Sequence, residues 1–120
     1  MPQITVEYSA ELSGALDRRA LALALHRTVA PLVDSDVAAF KTRFRRIEES
    51  VIGDGAPAAM VHVRIGLLSG RPVGLKQEVG RVGIGIVRDH LAPVDGLPTQ
   101  VTLEVYDLDR EQYQKLVLGP

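Results

Sequence analysis

Cysteine and tryptophan are absent from the 120-residue sequence, and its aromatic side chains amount to three tyrosines and two phenylalanines. Without cysteine there is no disulfide framework, no thiolate metal site and no thiol nucleophile, and cysteine usage leaves the compartment open. With so few aromatics the core has to be aliphatic, built from Val, Leu, Ile and Ala. An excess of one charge is also missing: 14 Lys and Arg stand against 15 Asp and Glu, a formal net charge of −1. Lys41, Arg43, Arg45 and Arg46 form a short basic run. No domain-wide excess stands behind that run to hold a phosphate backbone, so no nucleic-acid partner is expected. Long apolar runs are lacking as well, and Pro2 leads straight into an alternating pattern with no basic and apolar leader. No membrane span or secretory signal is therefore expected, and a cytoplasmic location follows by default.

What is present is ordinary globular composition, 46% hydrophobic and 24% charged, at the length of one domain over 1–120. Ile4, Val6 and Tyr8 alternate with Gln3, Thr5 and Glu7, the period-2 pattern of a half-buried strand. Apolar residues then recur at helical spacing on two lines, Leu16, Ala20, Leu23 and Leu21, Leu25, Val29. Pro31 and Asp34-Ser35-Asp36 are expected to close that helix. A second strand is expected from Phe40 to Ile52, with Phe40, Thr42 and Phe44 on one side and Lys41, Arg43 and Arg45 on the other. Gly53 to Pro57 reads as a turn, Val61 to Leu67 as a third strand, and Val73 to Leu91 as a second helix. Gly80, Gly83 and Gly85 each cost that helix about 1 kcal/mol relative to alanine, which predicts either close packing on the sheet or a bend. Val101, Leu103 and Val105 make a fourth strand, and 107–120 an irregular or short helical tail.

The order is β-α-β twice over, in halves of about 1–57 and 58–120 with no linker between them. Two crossover units whose helices cover one sheet face make an α+β sandwich with a four-stranded sheet. Ferredoxin-like and tautomerase folds both satisfy that order.

Most candidate motifs carry little chemistry. The Gly80 to Gly85 run lacks dinucleotide spacing, and 70–76 lacks phosphate-loop spacing. His26, His62 and His90 lie on three separate elements, so no metal site is expected. His62 should point away from Val61 and Val63 as a structural or interface histidine. Glu48 and Glu49, adjacent on the expected strand, would face opposite ways and make a poor acid/base pair. Pro2 differs. Methionine before a small residue is commonly removed, and the product would carry a prolyl secondary amine held still by the strand it begins. Burial near cations would lower such an amine toward the pKa of a working base. Arg71, in the turn after the third strand, and the Lys41, Arg43 and Arg45 face suit carboxylates, so the combination suits acidic substrates.

The sequence resembles the 5-carboxymethyl-2-hydroxymuconate isomerase family of the tautomerase superfamily. The likeness rests on Pro2 followed by Ile4-Thr-Val-Glu-Tyr-Ser, on 37–44 through Gly53-Asp54-Gly55, and on Val61-His62-Val63 with Ser69-Gly70-Arg71. It implies a four-stranded mixed sheet with two helices on one face, a homotrimer, and a role in aromatic catabolism. It also implies a free Pro2 as general base, with Lys41, Arg43 and Arg71 binding the carboxylates of a small dicarboxylate substrate. Lys41 stands where the family has arginine, and an ammonium cannot reproduce a bidentate clamp. Pro2 would take the 2-hydroxyl proton of a dienol and return a proton to carbon five, with no cofactor. Pro57 begins the second half as Pro2 begins the first, but its nitrogen is an amide. Two alternatives stay open: another tautomerase-superfamily activity, such as a hydratase-like dehalogenase, and a non-catalytic oligomeric binding protein if Met1 is retained. For the trimer, Phe40, Thr42 and Phe44 are expected to be buried between subunits.

Overall fold

A computed structural model describes residues 1–119. Its elements are β1 (Gln3–Ser9), α1 (Arg18–Leu32), β2 (Lys41–Ile47), β3 (Ala59–Leu68), α2 (Val73–Asp89) and β4 (Thr99–Leu108). The strands form one mixed sheet in the order β2-β1-β3-β4. β1 runs parallel to β2 and antiparallel to β3, and β3 runs parallel to β4. The tautomerase-like architecture expected from the sequence is the one observed.

Alternation sets which side of each strand is dry. Ile4, Val6, Val61, Val63, Ile65 and Leu67 are fully buried beneath the helices, each contributing about 1.5–3 kcal/mol of apolar burial. Of the two apolar lines on α1, Leu21, Leu25 and Val29 form the core line, while Leu23 is only half-buried. The helix starts at Asp17, whose carboxylate accepts from the Ala20 backbone N–H at 3.3 Å, a standard N-cap.

Two expectations need correction. α1 runs through Pro31 to Leu32; the proline sits in the last turn, where it removes a single backbone donor. The stop comes from Asp34, at φ 52°, with the Ser35 N–H donating to the Ala30 carbonyl at 3.0 Å. That left-handed closure satisfies the carbonyls the helix leaves open. β2 ends at Ile47, not Ile52, and Glu48 and Glu49 lie beyond it. Phe40, Thr42 and Phe44 turn toward α1 of their own chain: Phe40 is buried, Phe44 packs on the core, and Thr42 Oγ1 lies 2.8 Å from His26 Nε2. Phe40 is thus covered within its own chain, while Thr42 and Phe44 stay half-buried.

Of the α2 glycines, Gly83 reflects close packing on the sheet, whereas Gly80 and Gly85 would meet only ordinary contacts. A Cβ on Gly83 would stand 2.9 Å from Leu103 Cδ1. Overpacking of that kind costs about 1–3 kcal/mol, enough to cancel the helix propensity alanine would add. Beyond β4 the chain continues to Gly119 without regular structure, and Pro120, the end of the expected tail, lies outside the described residues.

Burial holds the pKa of His26 below its ordinary 6.5. The unfolded chain therefore takes up this proton first, and stability is complete above 6.5, falls as pH drops from there to the native value, and is flat below it. Urea titrations between about pH 8 and pH 5 should show that loss, and His26→Asn should remove it.

Candidate functional site

The start of the chain is held by its own strand. Pro2 is buried and Met1 half-buried, and the Pro2 carbonyl accepts from the Lys41 backbone N–H at 3.3 Å. Gln3 stands opposite Lys41 on one side and Gly66 on the other. Because β3 is antiparallel to β1, its far end and the turn carrying Arg71 come to this same end of the sheet.

Arg71 is fixed by backbone oxygens. Nη1 donates to the Leu68 carbonyl at 2.9 Å, and Nη2 donates to the Val33 carbonyl at 2.9 Å and Ser35 Oγ at 3.4 Å. Val33 caps the C-terminus of α1, where carbonyls are open and the partial charge is negative, so a guanidinium is favoured there. Lys41 Nζ donates to the Ala39 carbonyl at 3.0 Å.

The electrostatic result appears at the terminal amine. Its pKa is held below the ordinary 8.0, first by burial and then by the positive charges of Arg71, Lys41, Lys115 and Arg110. Desolvation and like charge both favour the neutral amine, the form that accepts a proton.

Pro2, Lys41 and Arg71, singled out in the sequence, are thus brought together. Arg43 lies two residues farther along β2, where its guanidinium donates to Gln3 Oε1 and to Thr5 Oγ1. Arg45 lies farther still, opposite Glu7. Lys115 and Arg110 were not legible as site residues, because only the folding back of the tail brings them near Met1. His62 points to the polar sheet face as expected, with Nδ1 2.6 Å from Thr102 Oγ1 and Nε2 2.7 Å from Glu104 Oε2. A groove of about 600 Å³ between α1 and β2, with His26, Thr42 and Phe44 in its wall, includes none of Pro2, Lys41, Arg43 or Arg71. No group of three or more His, Asp or Glu suited to a metal ion occurs among the described residues. Nor is any helix among them long and apolar enough to cross a membrane.

Because Arg71 is the strongest of the four charges on the amine, Arg71→Met should move the amine's titration up toward 8.0. Lys41→Met should move it less, as read by NMR titration of the chain start. An unchanged midpoint in Arg71→Met would show that the Arg71 charge does not help set it.

The fold has close relatives in shape. A 5-carboxymethyl-2-hydroxymuconate isomerase from Deinococcus radiodurans R1 is 23% identical, with a TM-score of 0.84 over 96% of this chain and 88% of that one. A 5-carboxymethyl-2-hydroxymuconate delta-isomerase is 16% identical, with a TM-score of 0.81 over 99% and 89%. A fused 4-OT symmetric trimer is 19% identical, with a TM-score of 0.70 over 89% and 85%. No curated protein matches the sequence. Residues 2–116 match the family described as 5-carboxymethyl-2-hydroxymuconate isomerase. With nearly the whole chain matched and the tautomerase fold in place, the protein belongs to that family and is an isomerase.

Proposed function

We propose that the protein isomerises a 2-hydroxymuconate-type dicarboxylate from dienol to unsaturated keto acid, with the nitrogen of Pro2, freed by loss of Met1, as general base. The observation that carries this reading is the depressed terminal amine surrounded by Arg71, Lys41, Lys115 and Arg110. Removal of Met1 moves the amine one residue inward, to the buried Pro2 immediately ahead of β1. Burial and the nearby cations would favour the neutral form of that amine as well, the form that accepts a proton.

In this reading Pro2 takes the proton of the 2-hydroxyl, the electron pair moves through the conjugated system, and a proton is returned to carbon five. Atoms and charge balance without a cofactor. Arg71 and Lys41 hold carboxylate and stabilise the dienolate as it forms, which counts most where water is excluded. Arg43, on the side of Gln3, is a further carboxylate-binding residue. The preset hydrogen bonds of Arg71 to Val33 and Leu68 reduce the ordering needed when substrate arrives.

Assembly as a homotrimer belongs to the same reading, supported by the symmetric trimer among similar folds and by the apolar Leu116, Val117 and Leu118, which are 72–83% exposed in the single chain. Sedimentation at micromolar concentration should give a species of three 13.0 kDa chains; a monomer would remove this part of the proposal.

Chemistry at Pro2 is tested by blocking its nitrogen. Protein that keeps Met1, or carries another residue ahead of Pro2, should lose about 10²–10⁴-fold in turnover of a dienol dicarboxylate while folding and assembly stay unchanged. Equal rates in the blocked and processed forms would reduce Pro2 to the first residue of a strand.

A further inference from the structure

The segment beyond β4 is fastened across the start of the chain at two points. The Arg110 backbone N–H donates to Ser69 Oγ and its Nε to the Ser69 carbonyl, both at 3.1 Å, which ties the segment to the turn that carries Arg71. Farther on, Gln3 Nε2 donates to the Tyr113 hydroxyl at 2.9 Å. The amide of Gln3 is oriented for that task, because its carbonyl oxygen is already taken by Arg43. Two residues beyond Tyr113, Lys115 Nζ comes to lie 3.7 Å from Met1 Sδ.

Met1 occupies the volume directly ahead of Pro2. A thioether sulfur is a weak acceptor, whereas an ammonium is a strongly hydrated donor that binds carboxylate with a charge-assisted hydrogen bond. Among the described residues Lys115 has no acidic partner: the ion pairs there join Arg46 to Glu48, His62 and Arg64 to Glu104, Lys76 to Asp107, Arg81 to Glu78 and Arg88 to Asp89. The acidic residues of the segment itself are Asp109 and Glu111, and Asp109 Oδ1 is engaged by the Glu111 backbone N–H at 3.0 Å.

We propose that Lys115, carried on a strap of residues 109–115 held by the Ser69–Arg110 and Gln3–Tyr113 hydrogen bonds, is a carboxylate-binding residue of the site. It takes the second carboxylate of a dicarboxylic ligand lying in the volume that Met1 fills before processing. Lys115 sets specificity for two carboxylates over one, and Tyr113 positions it. The inference rests on the reading of this end of the sheet as an acid-binding site, but not on turnover there.

The test is calorimetric titration of the processed, full-length protein with adipate and hexanoate, six-carbon acids bearing two carboxylates and one. Lys115→Gln should weaken adipate about tenfold, as expected for loss of one charged hydrogen bond, and leave hexanoate within about twofold. Lys115→Arg should restore most of the loss. Tyr113→Phe, which releases the strap with the cation still present, should weaken adipate by a smaller factor and leave hexanoate unchanged. Equal adipate affinity in the wild type and Lys115→Gln, equal losses for both acids, or no adipate binding by the wild type would each overturn the proposal. A protein that turns over no dienol acid but binds adipate through Lys115 defeats the isomerisation reading and leaves this one standing. An active enzyme whose adipate affinity ignores Lys115 does the reverse.

Discussion

The first strand of the chain is an inner strand of its sheet, and the rest of the molecule depends on that constraint. β1 is hydrogen-bonded on both sides, parallel to β2 and antiparallel to β3, so its register cannot slip without moving Ile4, Val6 and Tyr8 out of the core. A terminus normally frays. Here the dry face of β1 and two ladders hold it, and Pro2, immediately ahead of β1, is buried. The parallel partner brings Lys41 beside Pro2, and the antiparallel partner brings the Arg71 turn to the same end.

Cations from separate parts of the chain then converge on one amine. Such a concentration of like charge is tolerated because three of the four are compensated locally. Arg71 satisfies carbonyls at the end of α1 and β3, Lys41 one at Ala39, and Arg110 one at Ser69. These bonds fix the direction of the charges before any ligand is present, which is the arrangement that makes electrostatic stabilisation effective. Arg71 thereby serves two ends at once, closing a helix and polarising a site, so the two roles cannot be varied independently.

Much of this could be read from the sequence wherever local periodicity carried it. The alternation at Ile4, Val6 and Tyr8, the core line Leu21, Leu25 and Val29, and the turn before Arg71 all state their geometry in consecutive residues. Errors arose where tertiary context decided. The sequence offers no glycine or proline between Ile47 and Gly53, but the pairing with β1 ends at Ser9, and a strand without a partner stops. Pro31 looks like a terminator until the position of the left-handed Asp34 is known. Phe40, Thr42 and Phe44 form a recognisable stripe, but whether α1 or a neighbouring subunit covers it is not a local property. The tail was the least legible part, since Gln3 and Tyr113 meet across 110 residues of chain and neither residue type announces the other.

The inner position of β1 also sets an order of events during synthesis. β1 is made before either of its partners, 41–47 and 59–68, which at about 5–20 residues per second leaves it unpaired for several seconds. A peptidase needs an extended, accessible methionine, and that interval supplies one. Once the sheet closes, Met1 is half-buried with Lys115 Nζ 3.7 Å from its sulfur, and is less accessible than on the open chain. On the reading in which Pro2 is the base, the reactive group is made on the nascent chain, ahead of the pocket that gives it a use.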